Sequence, residues 1–223
     1  MSSKRLVSGI RPTGILHVGN YIGAMKNLLE LKQGYDCFYF ISDLHSLTTH
    51  PQPETRGDSV IQVAKMYLAA GLDPKQCTLY TQSAIAAEVS ELHLYLSMVM
   101  PLGELMRCPT FKEKAKKHPD NVNYGLAGYP VLMAADVLAL KGELVPVGED
   151  QLVHLEIARS IVRKFEHLYG ELFPKPQPLA ESAVRIPSLN GKGKMSKSDG
   201  EKTLVMLNDS TEQIRKKSEK SSI

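Results

Sequence analysis

Apolar positions along the chain fall alternately into short β-prone runs and longer stretches with helical spacing. The predicted strands are residues 6–10, 37–41, 78–81 and 144–147, and the predicted helices are residues 21–31, 58–70, 88–100, 130–140 and 150–165. Asn20 is expected just before the first helix, Pro130 at the start of the fourth, and the proline-rich residues 174–187 predict a surface connection. The alternation favours a doubly wound, Rossmann-like parallel α/β sheet, with ligands beyond the carboxyl ends of its strands.

Composition fits this picture without identifying a ligand. The 223 residues suffice for one α/β domain, and 43% apolar with 23% charged residues is typical of a globular protein. A net charge of +3 is too small to argue for nucleic acid by itself. Lysine and arginine concentrate at residues 112–117, 192–197 and 215–220, although each of these clusters could also be a solvated face.

Cysteine spacing and hydropathy exclude several classes of protein. Cys37, Cys77 and Cys108 are far apart and lack CxxC spacing, so neither a disulfide framework nor a zinc site is predicted. The first residues do not resemble a signal peptide, and no segment approaches the ~20 apolar residues of a membrane span. We therefore expect a cytoplasmic protein without a membrane anchor, with the mitochondrial matrix as the less favoured location.

Two glycine-containing segments are candidates for nucleotide chemistry. In residues 11–20, Gly14 permits a tight turn, Gly19 permits close backbone approach, and the following helix offers free N–H groups to an ATP triphosphate. Such a turn can also serve packing alone. In residues 191–200, small residues surround Lys194 and Lys197, which suits a mobile loop that closes on a polyphosphate, although an exposed basic loop is the simpler alternative.

Together these two segments resemble the signatures of class I aminoacyl-tRNA synthetases. His17-Val18-Gly19-Asn20 is similar to the HIGH signature, with Asn20 in the place of the second histidine, a variant that bacterial-type tryptophanyl enzymes commonly carry. Lys194-Met195-Ser196-Lys197-Ser198 matches the KMSKS signature letter for letter. A small nucleotidyltransferase with an HxGH turn is disfavoured, because such enzymes generally lack the complete second loop.

Three further segments resemble the tryptophanyl subgroup. Residues 8–14 are similar to its opening SGIQPTG, with Arg11 in place of the glutamine, residues 129–136 are similar to its amino-acid pocket helix, and residues 145–151 match its VPVGEDQ segment. The resemblance implies the HUP-type catalytic fold and a homodimer with residues 103–117 near the interface. It also implies activation of L-tryptophan by ATP, which carries Mg²⁺, and transfer of the amino acid to tRNA(Trp).

The same resemblance implies site residues. Those implied for ATP are Arg11, Pro12, Thr13, His17, Gly19, Asn20, Gly148, Glu149, Asp150, Ile186, Lys194, Met195, Ser196, Lys197 and Ser198. Those implied for tryptophan are Asp136, Gln151, Met133, Tyr129, His45, Val145, Val147 and Val7, the last at a position where the family often has an aromatic residue. Catalytic stabilisation of phosphate charge is implied for Lys194, Lys197, Lys112 and Lys114.

Asp136 also makes chemical sense without the family. An indole is a flat hydrocarbon with one N–H donor, so a selective pocket needs apolar walls and one acceptor that phenylalanine would leave unpaired. Asp136 follows Met133 by about one helical turn and could supply that acceptor, with the flexible apolar side chain of Met133 beside it as part of the pocket wall. An isolated aspartate could equally bond to its own helix or face water.

The predicted organisation is a catalytic domain over residues 1–200, with inserted helices around residues 84–128. Residues 201–223 are expected to begin a helical anticodon-binding domain, in which the capping box of Ser210 and Gln213 opens a helix. We interpret this domain as truncated at Ile223, with a naturally short relative whose tRNA contacts differ as the alternative. A tyrosyl-tRNA synthetase is the nearest enzymatic alternative, because it shares both signatures. A nucleotide- and amino-acid-binding protein that does not charge tRNA is the alternative from another class.

Overall fold

One parallel sheet forms the centre of the molecule. The computed structural model describes residues 3–12, 14–49, 53–117, 119–148, 151–180, 186–191, 193, 195 and 200–219. The strands are β1 (Arg5–Ile10), β2 (Asp36–Ile41), β3 (Thr78–Thr81), β4 (Leu144–Val147) and β5 (Gln177–Ala180), in the order β3-β2-β1-β4-β5 and all parallel. The predicted doubly wound sheet is confirmed. Its order reverses between β1 and β4, where such sheets bind ligands.

Helices connect and cover the strands. They are α1 (Val18–Asn20), α2 (Lys26–Leu31), α3 (Asp43–Ser46), α4 (Pro53–Ala69), α5 (Ala86–Val99), α6 (Leu102–Arg107), α7 (Pro109–Lys117), α8 (Tyr124–Ala139), α9 (Leu152–Tyr169) and α10 (Thr211–Ser218). A π-helical turn, Tyr21–Met25, joins α1 to α2. Among the described helices, none is long and apolar enough to cross a membrane. Helices α5, α6 and α7 lie within the segment predicted to hold inserted helices, and the division into domains stays a prediction.

The first helix begins earlier than its apolar spacing predicted. Helix α1 starts at Val18, so the expectation that Asn20 precedes the helix is wrong. The side-chain oxygen of Asn20 accepts a hydrogen bond from the backbone N–H of His17 at 3.0 Å. Asn20 therefore closes the first turn from inside the helix, and the local hydrogen bond outweighs the apolar spacing.

Pro130 does not start a helix either. It lies in the interior of α8, which begins six residues earlier, and Asn123 caps that start by accepting from the N–H of Leu126 at 3.0 Å. A proline inside a helix removes one backbone hydrogen bond. Residues 126–131 are all buried, and their packing against neighbouring helices compensates for that loss.

The prediction of a surface connection at residues 174–187 is wrong for residues 177–180, which form the edge strand β5. Pro178 pairs with Val145 of β4 in a parallel register. An edge strand tolerates proline because one side of its backbone has no ladder partner. The capping box at the start of α10 is confirmed, since Ser210 N donates to Gln213 Oε1 at 2.7 Å and Gln213 N donates to Ser210 Oγ at 3.3 Å.

One apolar cluster fixes the strands that carry the candidate site. Its buried members come from β1, β2, β4, α8 and α9, and they are Val7, Phe40, Val137, Val145, Val147 and Leu155. Burying a side chain of this size stabilises the fold by ~1.5–3 kcal/mol. The cluster therefore holds β1, β4 and α8 in a fixed arrangement around the switch in strand order.

Candidate active site

A cavity of about 810 Å³ opens at the carboxyl ends of β1 and β4. This is the position that the reversal of strand order favours for a ligand. Many residues singled out in the sequence line it: Val7, Arg11, Asn20, His45, Lys114, Tyr129, Met133, Val145, Val147, Gly148 and Gln151. The fold thus gathers residues from β1, β2, β4 and several helices into one cleft.

Other predicted site residues lie beside the cavity or outside the described part of the chain. Those described but not lining the cavity are Pro12, His17, Gly19, Lys112, Asp136, Ile186 and Met195. Those outside the described residues are Thr13, Glu149, Asp150, Lys194, Ser196, Lys197 and Ser198. For the second group the assignments rest on the sequence alone.

Asp136 lies directly behind one wall of the cavity. Its carboxylate is 1% exposed and accepts hydrogen bonds from His45 Nε2 at 2.9 Å and from Gln82 Nε2 at 2.8 and 2.9 Å. Burial raises the pKa of Asp136, and His45 and Gln82 oppose that rise. The side chain is therefore a desolvated acceptor held by other side chains, rather than one that bonds its own helix or faces water.

Tyr129 connects the cavity wall to two neighbouring helices. Its hydroxyl is hydrogen bonded to Thr110 Oγ1 at 2.7 Å and to His154 Nε2 at 3.1 Å. Burial is the main cause that raises the pKa of Tyr129 to about 12. The phenol consequently stays protonated at neutral pH and can both donate and accept a hydrogen bond.

Lys114 brings a positive charge to the cavity. Its ammonium lies 3.6 Å from the centre of the Tyr129 ring, a cation–π contact. Burial, and next the nearby charge of Arg11, lowers the pKa of Lys114. Lys112, on the same helix, is exposed to solvent. Only Lys114 of this pair is therefore placed to stabilise charge on a ligand inside the cavity.

The apolar wall includes a residue that the sequence did not single out. Phe40 of β2 lines the cavity with Val7 and Val145, and its ring lies 5.8 Å from that of Tyr80. A Cβ atom at Gly9 would lie 2.7 Å from the Phe40 ring, so glycine makes room for this aromatic side chain. An aromatic surface is thus present near Val7, where the family often has one.

The two sequence signatures approach each other at Gly19. A Cβ atom there would lie 2.9 Å from Nδ1 of His17 and 3.3 Å from Cβ of Met195, so the absence of a side chain permits this contact. Met195 N donates to Ile186 O at 2.9 Å, which fixes the start of the second segment. The fold therefore brings residues far apart in sequence into contact beside Asn20, which lines the cleft.

Backbone hydrogen bonds reinforce that contact. Val18 N donates to Val205 O at 2.9 Å, and Leu207 N donates to Leu16 O at 2.8 Å. Residues 16–18 and 205–207 are thus joined by an antiparallel link, which we call the terminal link. It lies next to the helix start that is predicted to face phosphate.

Among the residues of this region that sequence reasoning missed are Phe40, Gln82, Thr110 and His154. Gln82 directly follows β3, so the rule that ligands meet the carboxyl ends of strands could have found it. His154 follows Gln151 by one helical turn and could have been inferred from that spacing. Thr110 carries no signal in the sequence, because it reaches Tyr129 only through the packing of α7 on α8.

The chain is similar to curated proteins over most of its length. The protein from Porphyromonas gingivalis named tryptophan–tRNA ligase is 48% identical over 215 residues, which are 95% of this chain and 65% of that protein. The tryptophan–tRNA ligase of Chlamydia caviae is 42% identical, and the match covers 93% of this chain and 62% of that protein. The chain therefore spans slightly less than two thirds of the length of these relatives.

Solved structures give the same result. The tryptophanyl-tRNA synthetase of Campylobacter jejuni, complexed with ADP and tryptophan, superposes with a TM-score of 0.88 at 35% identity, covering 96% of this chain and 66% of that one. The tyrosyl-tRNA synthetase of Archaeoglobus fulgidus shares the fold, with a TM-score of 0.79 at 20% identity. The superposition covers 99% of this chain and 66% of that one. The family model for class I tRNA synthetases (W and Y) matches residues 2–221. The chain belongs to this family.

Proposed function

We propose that this chain is the catalytic part of an enzyme that activates L-tryptophan with ATP and transfers it to tRNA(Trp). The observation that carries the proposal is one cleft with two chemically different ends. One end has apolar walls backed by the His45–Asp136 pair, and the other has Arg11, Lys114 and Gly148. An indole fits the first end, and a polyphosphate fits the second.

The first step would be in-line attack by the tryptophan carboxylate on the α-phosphorus of ATP, with pyrophosphate as the leaving group. The nucleophile is already ionised at neutral pH, so the chain needs to supply position and positive charge rather than a general base. Asp136 and His45 would recognise the indole N–H, and Tyr129 with Gln151 would hold the amino group. Lys114 would stabilise the charge that develops on the phosphates.

The remaining ATP contacts follow from the family resemblance. His17, Gly19, Asn20 and residues 148–150 would hold the nucleotide, and the lysines of residues 194–198 would close on the phosphates. Mg²⁺ would arrive with ATP and neutralise part of its charge. Transfer would then go to a hydroxyl of the terminal adenosine of tRNA, at the 2′ position by analogy with the family.

The first test is pyrophosphate exchange into ATP with each of the twenty amino acids. We expect exchange with tryptophan and none above background with phenylalanine, because phenylalanine leaves the buried acceptor unpaired. Exchange with tyrosine in place of tryptophan would identify the tyrosyl alternative. Adenylate formation without charging of tRNA would separate activation from transfer, and failure to bind ATP would support a protein without this activity.

A second test concerns the lysine-rich loop. Lys197→Ala is expected to lower the rate of adenylate formation about 100-fold and to leave the Kd for tryptophan nearly unchanged, because the ammonium acts on the phosphates in the transition state. Stopped-flow adenylation and equilibrium binding of tryptophan measure the two quantities separately. An unchanged exchange rate would refute the role.

We also propose that the protein forms a homodimer. Large apolar side chains of α5 and α6 face solvent: Leu94, Tyr95, Met98, Leu102 and Met106. This face adjoins residues 103–117, the region that the resemblance implies for the interface. Met98 is 73% exposed, and Met98→Asp would place a charge on this apolar face. We expect this substitution to convert the dimer to a monomer, as measured by sedimentation velocity. Ile61→Asp on α4 is the control, and a wild-type monomer would contradict the proposal.

A further inference from the structure

Gln82 makes hydrogen bonds with every polar atom of its side chain. Its Nε2 donates to both oxygens of Asp136, at 2.8 and 2.9 Å, and its Oε1 accepts from the backbone N–H of His45 at 3.1 Å. The residue is fully buried, at 0% exposed. A flipped amide would place an acceptor against the carboxylate and a donor against the N–H, so only one orientation of the side chain satisfies its partners.

The backbone around Gln82 is held from the opposite side. Ser83 N donates to Asp43 Oδ1 at 3.0 Å, and the same oxygen accepts from Leu44 N at 3.1 Å. The turn that follows β3 is therefore cross-linked to helix α3, which carries His45. Since the ring of His45 also donates to Asp136, the Gln82 side chain joins the turn, α3 and α8 at one point.

These contacts determine which part of the carboxylate remains available. A carboxylate offers about four lone-pair sites. Gln82 uses one on each oxygen, and His45 uses a second on Oδ2. Within the described residues, the remaining site lies on Oδ1. Met133 and Val137 of α8 line the cavity, as does His45, so the Asp136 carboxylate that His45 contacts lies against the cavity wall.

We propose that Gln82 is a specificity-determining positioning residue, which holds Asp136 so that Oδ1 accepts the N–H of the substrate ring. The inference rests on the proposed activation of tryptophan and assigns its selectivity to a residue outside the cavity wall. Gln82 acts through Asp136 and does not touch the substrate. A purely structural role would predict a loss of stability alone, with the preference among substrates unchanged.

The test compares tryptophan with its benzothiophene analogue, in which sulfur replaces the ring N–H. Gln82→Met keeps the length of the side chain and removes its donor. We expect kcat/KM for tryptophan to fall about tenfold or more and that for the analogue to change less than about threefold, because only tryptophan uses the aligned acceptor. The loss should appear in the KM for tryptophan, with the KM for ATP unchanged.

Ser83→Ala, in the same turn and with an exposed side chain, is the matched control and should retain the wild-type preference. Gln82→Asn keeps a donor on a shorter side chain and is expected to show an intermediate preference; it also serves if Gln82→Met does not fold. Equal losses for both substrates, or none, would overturn the inference. Absence of tryptophan-dependent exchange in the wild type would instead contradict the proposed function, so the two failures are distinguishable.

Discussion

The two ends of the cavity are stabilised by different kinds of hydrogen bond. At the end proposed for the amino acid, buried side chains bond to one another, as in the contacts of Asp136 with His45 and Gln82. At the end proposed for the nucleotide, backbone groups of the terminal link bond to each other beside the side-chain bond that Asn20 accepts from His17 N, and Gly19 allows close packing. Hydrogen bonds between side chains require particular residues, whereas hydrogen bonds between backbone groups require only that the chain adopts the right conformation. Under the proposed function, the first end would therefore select the amino acid. The second end would position ATP, which is the same whichever amino acid is activated.

The largest effect is expected from Asp136→Ala. Removal of the carboxylate leaves Gln82 and His45 without their buried partner and takes away the acceptor that we propose for the ring N–H. We expect kcat/KM for tryptophan to fall by about 100- to 1000-fold. The KM for ATP should stay within about twofold of wild type, as measured by pyrophosphate exchange. A comparable loss of ATP affinity would show that the two ends are not independent.

Lys114→Met is expected to lower the rate of adenylate formation about 100-fold, because it removes a charge from the interior of the cleft. Lys116→Met, on the exposed side of the same helix, is the control. The lowered pKa of Lys114 means that its ammonium is lost at lower pH than that of an ordinary lysine. In a pH profile of kcat, the fall at alkaline pH should therefore occur below the pH at which an ordinary lysine loses its proton. Lys114→Arg should shift this fall to higher pH. A fall that did not shift would contradict this assignment.

Gly19→Ala addresses the nucleotide end. The new Cβ atom would lie 2.9 Å from the His17 ring and 3.3 Å from Met195, so the helix start and the second segment must separate slightly. We expect the KM for ATP to rise about tenfold with little change in the KM for tryptophan. Gly34→Ala is the control, because no atom lies within 4 Å of its added Cβ. If Gly19→Ala changed the affinity for tryptophan alone, the assignment of Gly19 to the nucleotide end would be contradicted.

The smallest effect is expected from Tyr129→Phe. The substitution keeps the ring under Lys114 and removes the hydroxyl that joins Thr110 to His154. We expect the KM for tryptophan to rise by about three- to fivefold and the free energy of unfolding to fall by about 1 kcal/mol. Denaturant titration and exchange assays measure these quantities, with the exposed Tyr169→Phe as the control. An effect on ATP alone would place Tyr129 at the other end of the cleft.

The sheet could be predicted from the sequence because its apolar runs are short, β-prone and bounded by turn residues. The edge strand β5 could not, since Pro178 opposes a strand assignment and only its pairing with β4 overrides that preference. Similarly, Pro130 indicated a helix start, whereas burial of α8 against its neighbours determines the actual helix. In both cases tertiary packing outweighed a local preference of proline.

The candidate site shows the same division. Asp136 and Gln151 were singled out because they stand in segments that resemble a known family, and their roles stay predictions. Gln82 and Thr110 were missed because their importance comes from contacts with residues distant in sequence, 54 positions away for Gln82 and 19 for Thr110. Short motifs pointed to the candidate ligand contacts, whereas the hydrogen bonds of Gln82 and Thr110 to those residues became visible only in the fold.

The terminal link also has a consequence for how the protein acquires its structure. It joins residues 16–18 to residues 205–207, so the chain must close a loop of nearly its entire length before these hydrogen bonds form. The entropic cost of closing a loop grows slowly with its length, but contacts between residues distant in sequence form more slowly than local ones. The β1–β2 pair needs a far shorter closure and can form without the last residues. On a growing polypeptide, the cavity-lining residues up to His154 can therefore assemble before the terminal link, which forms only after residues 205–207 have been synthesised.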